Sequence, residues 1–225
     1  MCGRFTLRTP PCGWAEIFAT LREPTLQPRS DICPQQDVLV LRCVDHRHDW
    51  ASLYWKLTPS WSKTQFTAFN TINATVEKVA TSGTYRNSFQ RRRCLIPADG
   101  WYEWKEITKK DKDRYFFRIP DQPCFAFAGL WDRWASPDKK IVHESCTIIT
   151  TEANPLVASI HKKARMPVIL RTDDYGVWMD HTIEDATKLL PMLQAFPETE
   201  MEAIQVPRNL DNSFFDPRCW PHLAG

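Results

Sequence analysis

The sequence predicts an α+β fold: a single domain of mainly antiparallel β-sheet forming a barrel-like core, with short helices around it. Three observations carry that expectation. Short β-branched and aromatic runs recur from residue 37 to residue 151, stretches with helical spacing are few and brief, and 17 prolines outnumber 7 glycines. Proline removes a donor from a strand ladder or a helix interior, so the elements must be short and the connections many. Ten tryptophans in 225 residues provide bulk for one sizeable core.

Taken in order, residues 14–22 (WAEIFATLR) set Trp14, Ile17, Phe18 and Leu21 at helical spacing and predict a short amphipathic helix. Residues 37–44 (DVLVLRCV), bounded by Pro34 and Asp45, predict a strand; 51–57 pairs with it as a hairpin across the polar turn 45–49. A helix is expected over 74–80. Further strands are expected at 93–96, 100–105, 115–119, 125–131 and 145–151, with the charged stretch 107–114 (ITKKDKDR) as a solvated hairpin loop. Helices are expected at 154–161 and 183–190. Thr182 followed by Asp185 has the spacing of a capping box, and Pro191 should end or kink the second helix. No repeat or low-complexity linker interrupts the chain, which argues for one domain over residues 1–225.

Hydrophobic content of 43% and charged content of 25% are ordinary for a soluble globular protein. A net charge of +2 neither points to nucleic acid nor excludes it, because a basic patch can sit inside a balanced total. The eight cysteines contain no CxxC pair, so zinc ribbons and thioredoxin-like sites lose their support, and no metal or cofactor is expected. Reduced, mostly buried thiols in a cytoplasmic protein are the natural expectation. No apolar run approaches the roughly 20 residues of a membrane helix, and residues 1–20 lack a signal-peptide core.

The start Met1-Cys2-Gly3-Arg4-Phe5 carries chemistry of its own. Removal of Met1 would leave Cys2 with a thiol and an α-amine on one carbon framework. Their ordinary pKa values, about 8.5 and about 7.7–8.0, leave reactive fractions of both near neutrality. With an aldehyde the amine forms a Schiff base and the thiol closes a thiazolidine ring, which no internal cysteine can do. Gly3 permits close approach of a ligand, and Arg4 offers a phosphate contact. The plain alternative is that Cys2 is only the second residue of an ordinary chain.

Other candidates are equally two-sided. Glu103, in Gly100-Trp101-Tyr102-Glu103-Trp104-Lys105, is either a desolvated acid–base carboxylate among aromatics or a strand-face glutamate paired with a lysine. His161, before Lys162-Lys163-Ala164-Arg165, is a proton shuttle beside an anionic substrate or a surface histidine at a helix end. Asn73 orients a substrate or caps the helix after it. Arg86 and 91–93 form a phosphate track or a solvated face. An exposed tryptophan, Trp61 or Trp104, is a stacking surface for a nucleobase.

Together these segments resemble the SOS-response-associated peptidase (SRAP) family of abasic-site processing proteins. The resemblance lies in MCGRF at 1–5, WKLTPSW at 55–61, Asn73-Ala74 with Glu77, PADGWYEW at 97–104 and Arg165-Met166-Pro167-Val168, all within roughly 1–170. It implies a DNA-damage function: Cys2 crosslinks covalently to the aldehyde of an abasic site in single-stranded DNA. Glu103 then matches the family's catalytic carboxylate, Asn73 the residue positioning the opened sugar, and His161 the histidine stabilising the site. Arg4, Trp61, Arg86, Trp104 and Arg165 are the expected DNA contacts. The resemblance also implies autoproteolytic exposure of the cysteine, and the protein is expected to act as a monomer associated with the nucleoid when on DNA.

This chain departs from the family pattern in four places. Thr75 stands where an arginine is usual, and Asp31 replaces a neutral amide. His161 lies four positions before Arg165 instead of two, and residues 206–225 match poorly. A non-catalytic single-stranded DNA-binding module and a cysteine peptidase acting on other proteins are the competing readings.

Overall fold

The computed structural model describes residues 2–11, 13–120 and 122–207. The final segment of the departures, beyond residue 207, lies outside the described residues, as do Cys12 and Cys219. The strands are β1 (Phe5–Leu7), β2 (Arg29–Ile32), β3 (Asp37–Val44), β4 (Arg47–Trp55), β5 (Asn73–Thr75), β6 (Arg93–Ala98) and β7 (Gly100–Glu106). There follow β8 (Lys112–Arg118), β9 (Phe125–Ala135), β10 (Val142–Glu152), β11 (Arg165–Pro167), β12 (Ile169–Leu170) and β13 (Glu202–Val206). Helices are single turns or little more: α1 (Trp14–Ile17), α2 (Val76–Val79), α3 (Arg86–Arg91), α4 (Pro155–Ala158), α5 (Tyr175–Met179) and α6 (Ala186–Leu189).

Strands β4, β3, β6, β9 and β10 pair in that order, and β10 returns to β4, closing the expected barrel-like core. The closing contact is the parallel one, Ser145 against Tyr54 and Cys146 against Trp55; the other pairs of the ring are antiparallel. Further along, β10 takes β5 on one side and β11 on the other. A second sheet runs β2–β1–β7–β8–β13. The two sheets interlock through aromatic rings. Phe5 of β1 meets Trp55 at 5.2 Å and Phe127 at 5.8 Å, and Trp101 of β7 meets Phe127 at 6.2 Å while stacking on Phe117 at 5.0 Å. Edge-to-face pairs of this kind add to the stabilisation from area burial alone.

The β3–β4 hairpin forms with a tighter turn than expected. Asp45 and His46 both take positive φ, 49° and 62°, which aspartate and histidine tolerate better than most residues. Four helical expectations are corrected. The helix over 14–22 stops at Ile17, because Ala19 turns left-handed (φ 49°); Trp14 and Phe18 are buried, but Ile17 and Leu21 are exposed. The helix over 74–80 begins only at Val76, since Asn73 and Ala74 pair with β10. The helix over 154–161 ends at Ala158, with Asn154 as its cap through a bond from the Val157 N–H. The helix over 183–190 starts after Asp185, whose carboxylate caps Thr187, while Thr182 bonds to Asp180 and forms no capping box. The charged loop is also shorter than expected, as β8 begins at Lys112.

Gly100 opens β7 at the point where the two sheets meet. A Cβ there would fall within the Phe116 ring and 2.7 Å from the Phe117 carbonyl oxygen. Gly100→Ala should therefore destabilise the protein by about 1–3 kcal/mol through overpacking. Urea unfolding measures this; unchanged stability would show that the facing strand yields without cost.

Candidate active site

Asp99 sits between β6 and β7 with its carboxylate buried, 6% exposed. It accepts from the Thr6 hydroxyl and the Arg8 backbone N–H, and from the Thr9 backbone N–H at 2.9 Å. The Arg8 guanidinium lies 3.4 Å from it. Backbone bonds run in parallel with this clamp: Asp99 N–H to Thr6 carbonyl at 3.0 Å and Tyr102 N–H to Arg4 carbonyl at 2.9 Å. Strand β1 is thereby held beside β7, which brings the residues before it to Glu103. Cys2 has no exposed surface.

Glu103 is 2% exposed, and its Oε1 has no hydrogen-bond partner among the described residues. Burial disfavours the charged form and pushes its carboxyl up to about 7. Its Oε2 lies 3.7 Å from His161 Nε2. His161 Nδ1 is 2.9 Å from the Arg165 carbonyl oxygen. A carbonyl only accepts, so the network assigns the ring proton to Nδ1 and turns the Nε2 lone pair toward Glu103. Burial also holds His161 below its ordinary value. The Cys2 thiol is pushed up, first by burial and then by the Glu103 charge, while a hydrogen bond from the Arg4 backbone N–H opposes the shift. A small cavity of about 280 Å³ opens here, lined by Gly3, Glu103, Trp104, His161, Lys112 and Lys163, among others.

Cys2, Glu103 and His161 thus form one constellation. The two extra residues between His161 and Arg165 are absorbed in a tight turn. Ala164 N–H bonds to the His161 carbonyl at 2.8 Å, Ala164 takes a left-handed φ of 46°, and the imidazole keeps its anchor on Arg165. Asn73 lies across β10 from this turn, 6% exposed, with neither amide atom hydrogen-bonded among the described residues. A buried amide with both ends unpartnered is rare in a purely structural role. As Thr75 opens the turn of α2, Asn73 does not cap it.

Arg165 is already engaged. Glu77 grips its guanidinium at 2.7 and 3.1 Å, and the Thr150 carbonyl accepts a third bond at 2.7 Å. Those bonds hold Glu77 down to about 2, with Thr75 adding a side-chain hydrogen bond where the family arginine would stand. Arg4 pairs with Asp31 at 3.1 Å, its guanidinium 5.5 Å from the centre of the Trp104 ring. Trp61, 59% exposed, donates to the Gly83 carbonyl at 3.0 Å and is not among the residues lining the cavity. Asp99 and Asp31 escaped sequence reasoning as site residues. Asp99 lies inside PADGWYEW, but nothing in that string says that its carboxylate reaches Thr6, Arg8 and Thr9.

Among the described residues no three His, Cys, Asp or Glu side chains are grouped to hold a metal, and no helix is long and apolar enough to cross a membrane. The thiols of Cys2, Cys33, Cys43, Cys94, Cys124 and Cys146 are free.

The chain is 34% identical over 209 residues to the abasic site processing protein YoqW of Bacillus subtilis, covering 92% of each. It is 28% identical to the abasic site processing protein YedK of Escherichia coli, over 81% of each chain. A solved protein from Bacteroides thetaiotaomicron has the same fold, with a TM-score of 0.81 at 22% identity over 95% of this chain and 94% of that one. The family model described as SOS response associated peptidase (SRAP) matches residues 1–213. The chain belongs to the SOS response associated peptidase family.

Proposed function

We propose that the protein captures abasic sites in single-stranded DNA by forming a thiazolidine with Cys2 once Met1 is removed, a removal it carries out on itself. The observation that carries this is a carboxyl poised at about 7 against a buried amino-terminal cysteine, with a neutral imidazole 3.7 Å from it. The relatives named as abasic site processing proteins supply the substrate class.

In this reading the α-amine of Cys2 adds to the sugar aldehyde, one amine proton passing to the new hydroxyl. Protonated Glu103 donates to that hydroxyl, which leaves as water and gives the protonated imine. As a carboxylate it then takes the thiol proton, and the sulfur adds to the iminium carbon, closing the ring with the nitrogen neutral and still carrying its proton. A general acid–base group works best with a pKa near the operating pH, which burial gives Glu103. Its partner His161 presents Nε2, so one proton can be shared across the pair. The unpartnered Asn73 amide is suited to the hydroxyls of the opened sugar. Trp61 and Arg86 offer stacking and phosphate contacts to the flanking strand, and Arg4, Trp104 and Arg165 line its approach.

Mature protein mixed with an abasic single-stranded oligonucleotide should give a heat-stable crosslinked band, and Cys2→Ala should abolish it. A full-strength band from that variant would refute the nucleophile. Glu103→Gln should slow crosslinking by about 100-fold or more; an unchanged rate removes the carboxylate from the mechanism.

Stability gives an independent check on Glu103. Its folded carboxyl is raised from 4.5 to about 7, so the native state binds the extra proton across that window. Its favourable contribution is present below pH 4.5 and is lost as pH rises through about 7. Relative to wild type, Glu103→Gln should therefore gain about 3 kcal/mol between pH 4.5 and pH 8. A pH-independent difference in unfolding free energy would mean that the carboxyl titrates normally.

A further inference from the structure

We infer that Asp31 sets how weakly the site holds intact DNA, by occupying Arg4 and placing a negative charge where a phosphate would dock. The inference rests on the proposed DNA function and deepens it. Four cations stand near the rim of the cavity on Arg4, Lys112, Lys162 and Lys163. Lys162 is paired with Glu106 at 3.2 Å, and Lys112 and Lys163 have no ion pair among the described residues. Arg4 is the one nearest in sequence to Cys2; its backbone is fixed by the Tyr102 N–H bond to its carbonyl, and its guanidinium lies over the Trp104 ring.

The pairing geometry matters. Asp31 approaches Arg4 most closely at Nε, 3.1 Å away, and both side chains are over a third exposed, 36% and 44%. The terminal guanidinium nitrogens have no hydrogen-bond partner among the described residues. They can grip two phosphate oxygens at once, the arrangement in which arginine binds phosphate best. A phosphate so held would lie beside the Asp31 carboxylate and be repelled by it. Glu77 and Arg165 differ: that pair is two-pronged, reinforced by the Thr150 carbonyl, and its arginine is only 19% exposed. Arg4–Asp31 is therefore the pair a passing strand can perturb. A strand lacking an aldehyde then forgoes one phosphate contact beside Cys2, whereas a lesion is retained by the covalent bond.

The test is binding of an intact single-stranded oligonucleotide to the mature protein across a salt series, beside crosslinking to its abasic counterpart. Exposed ion pairs are worth about 1 kcal/mol or less, so Asp31→Asn should bind intact DNA about two- to fivefold more tightly. One recovered phosphate contact should steepen the log–log salt dependence by about 0.7. In crosslinking, the gain should appear as a lower half-saturating DNA concentration and not as a faster rate at saturation. Arg4→Gln in the Asp31→Asn background should erase it. Asp31→Ser serves as a second variant should the asparagine disturb β2. Unchanged or weaker binding by both Asp31 variants overturns the inference, as does a gain that survives Arg4→Gln. If wild-type protein crosslinks abasic DNA in those cases, the proposed function stands and only the role of Asp31 falls. If wild type neither binds nor crosslinks, the proposed function itself fails.

Discussion

The site depends on one buried carboxylate that performs no chemistry. Asp99 gathers Thr6, Arg8 and Thr9 around the corner between β6 and β7. Without that tie, the first residues would be a free end of the kind that frays from most domains. With it, the amino terminus becomes an interior strand, paired on one side with β2 and on the other with β7. The placing of these residues then needs no long helix or rigid loop. It comes from a strand register, Phe5 against Trp101, which runs the preceding residues past Glu103, near enough for its charge to act on the Cys2 thiol.

The same burial tunes the chemistry. A carboxyl with 2% exposure and one oxygen unpartnered is driven toward its neutral form, and burial drives the thiol the same way, reinforced whenever Glu103 is charged. Burial therefore favours the protonated form of both groups. Deprotonation of one group eases protonation of the other, so Glu103 and Cys2 are coupled by their proximity. His161 joins through a main-chain carbonyl, not through a side chain, which explains how the longer His161–Arg165 spacing leaves the contact intact.

Much of this was legible beforehand, for physical reasons. The β-branched runs of β3, β6, β9 and β10 register burial directly, and the ring they form follows from having so many central strands and few covering helices. Cys2, Glu103 and His161 were candidates by residue type, each with a plain alternative, and only the family resemblance joined them before the structure brought Glu103 and His161 within 3.7 Å. The rest depends on contacts far apart in the chain. Helical spacing at Trp14–Ile17 extended falsely to Leu21, since local periodicity cannot see that Phe18 stacks on Tyr175 and the chain must turn at Ala19. The short strands β11, β12 and β13 have too few residues to show a period. Asp31 was visible only as an unusual charge; its partner, Arg4, lies far off in the chain, just ahead of β1.

A sulfur with no surface and a firmly held proton is a poor target for peroxide, because oxidation proceeds through an exposed thiolate. If Cys2 is the reagent that meets abasic lesions, as proposed, the oxidative conditions that create them would otherwise inactivate it. Enclosure would then let this cysteine outlast the stress and still be reduced when an aldehyde arrives.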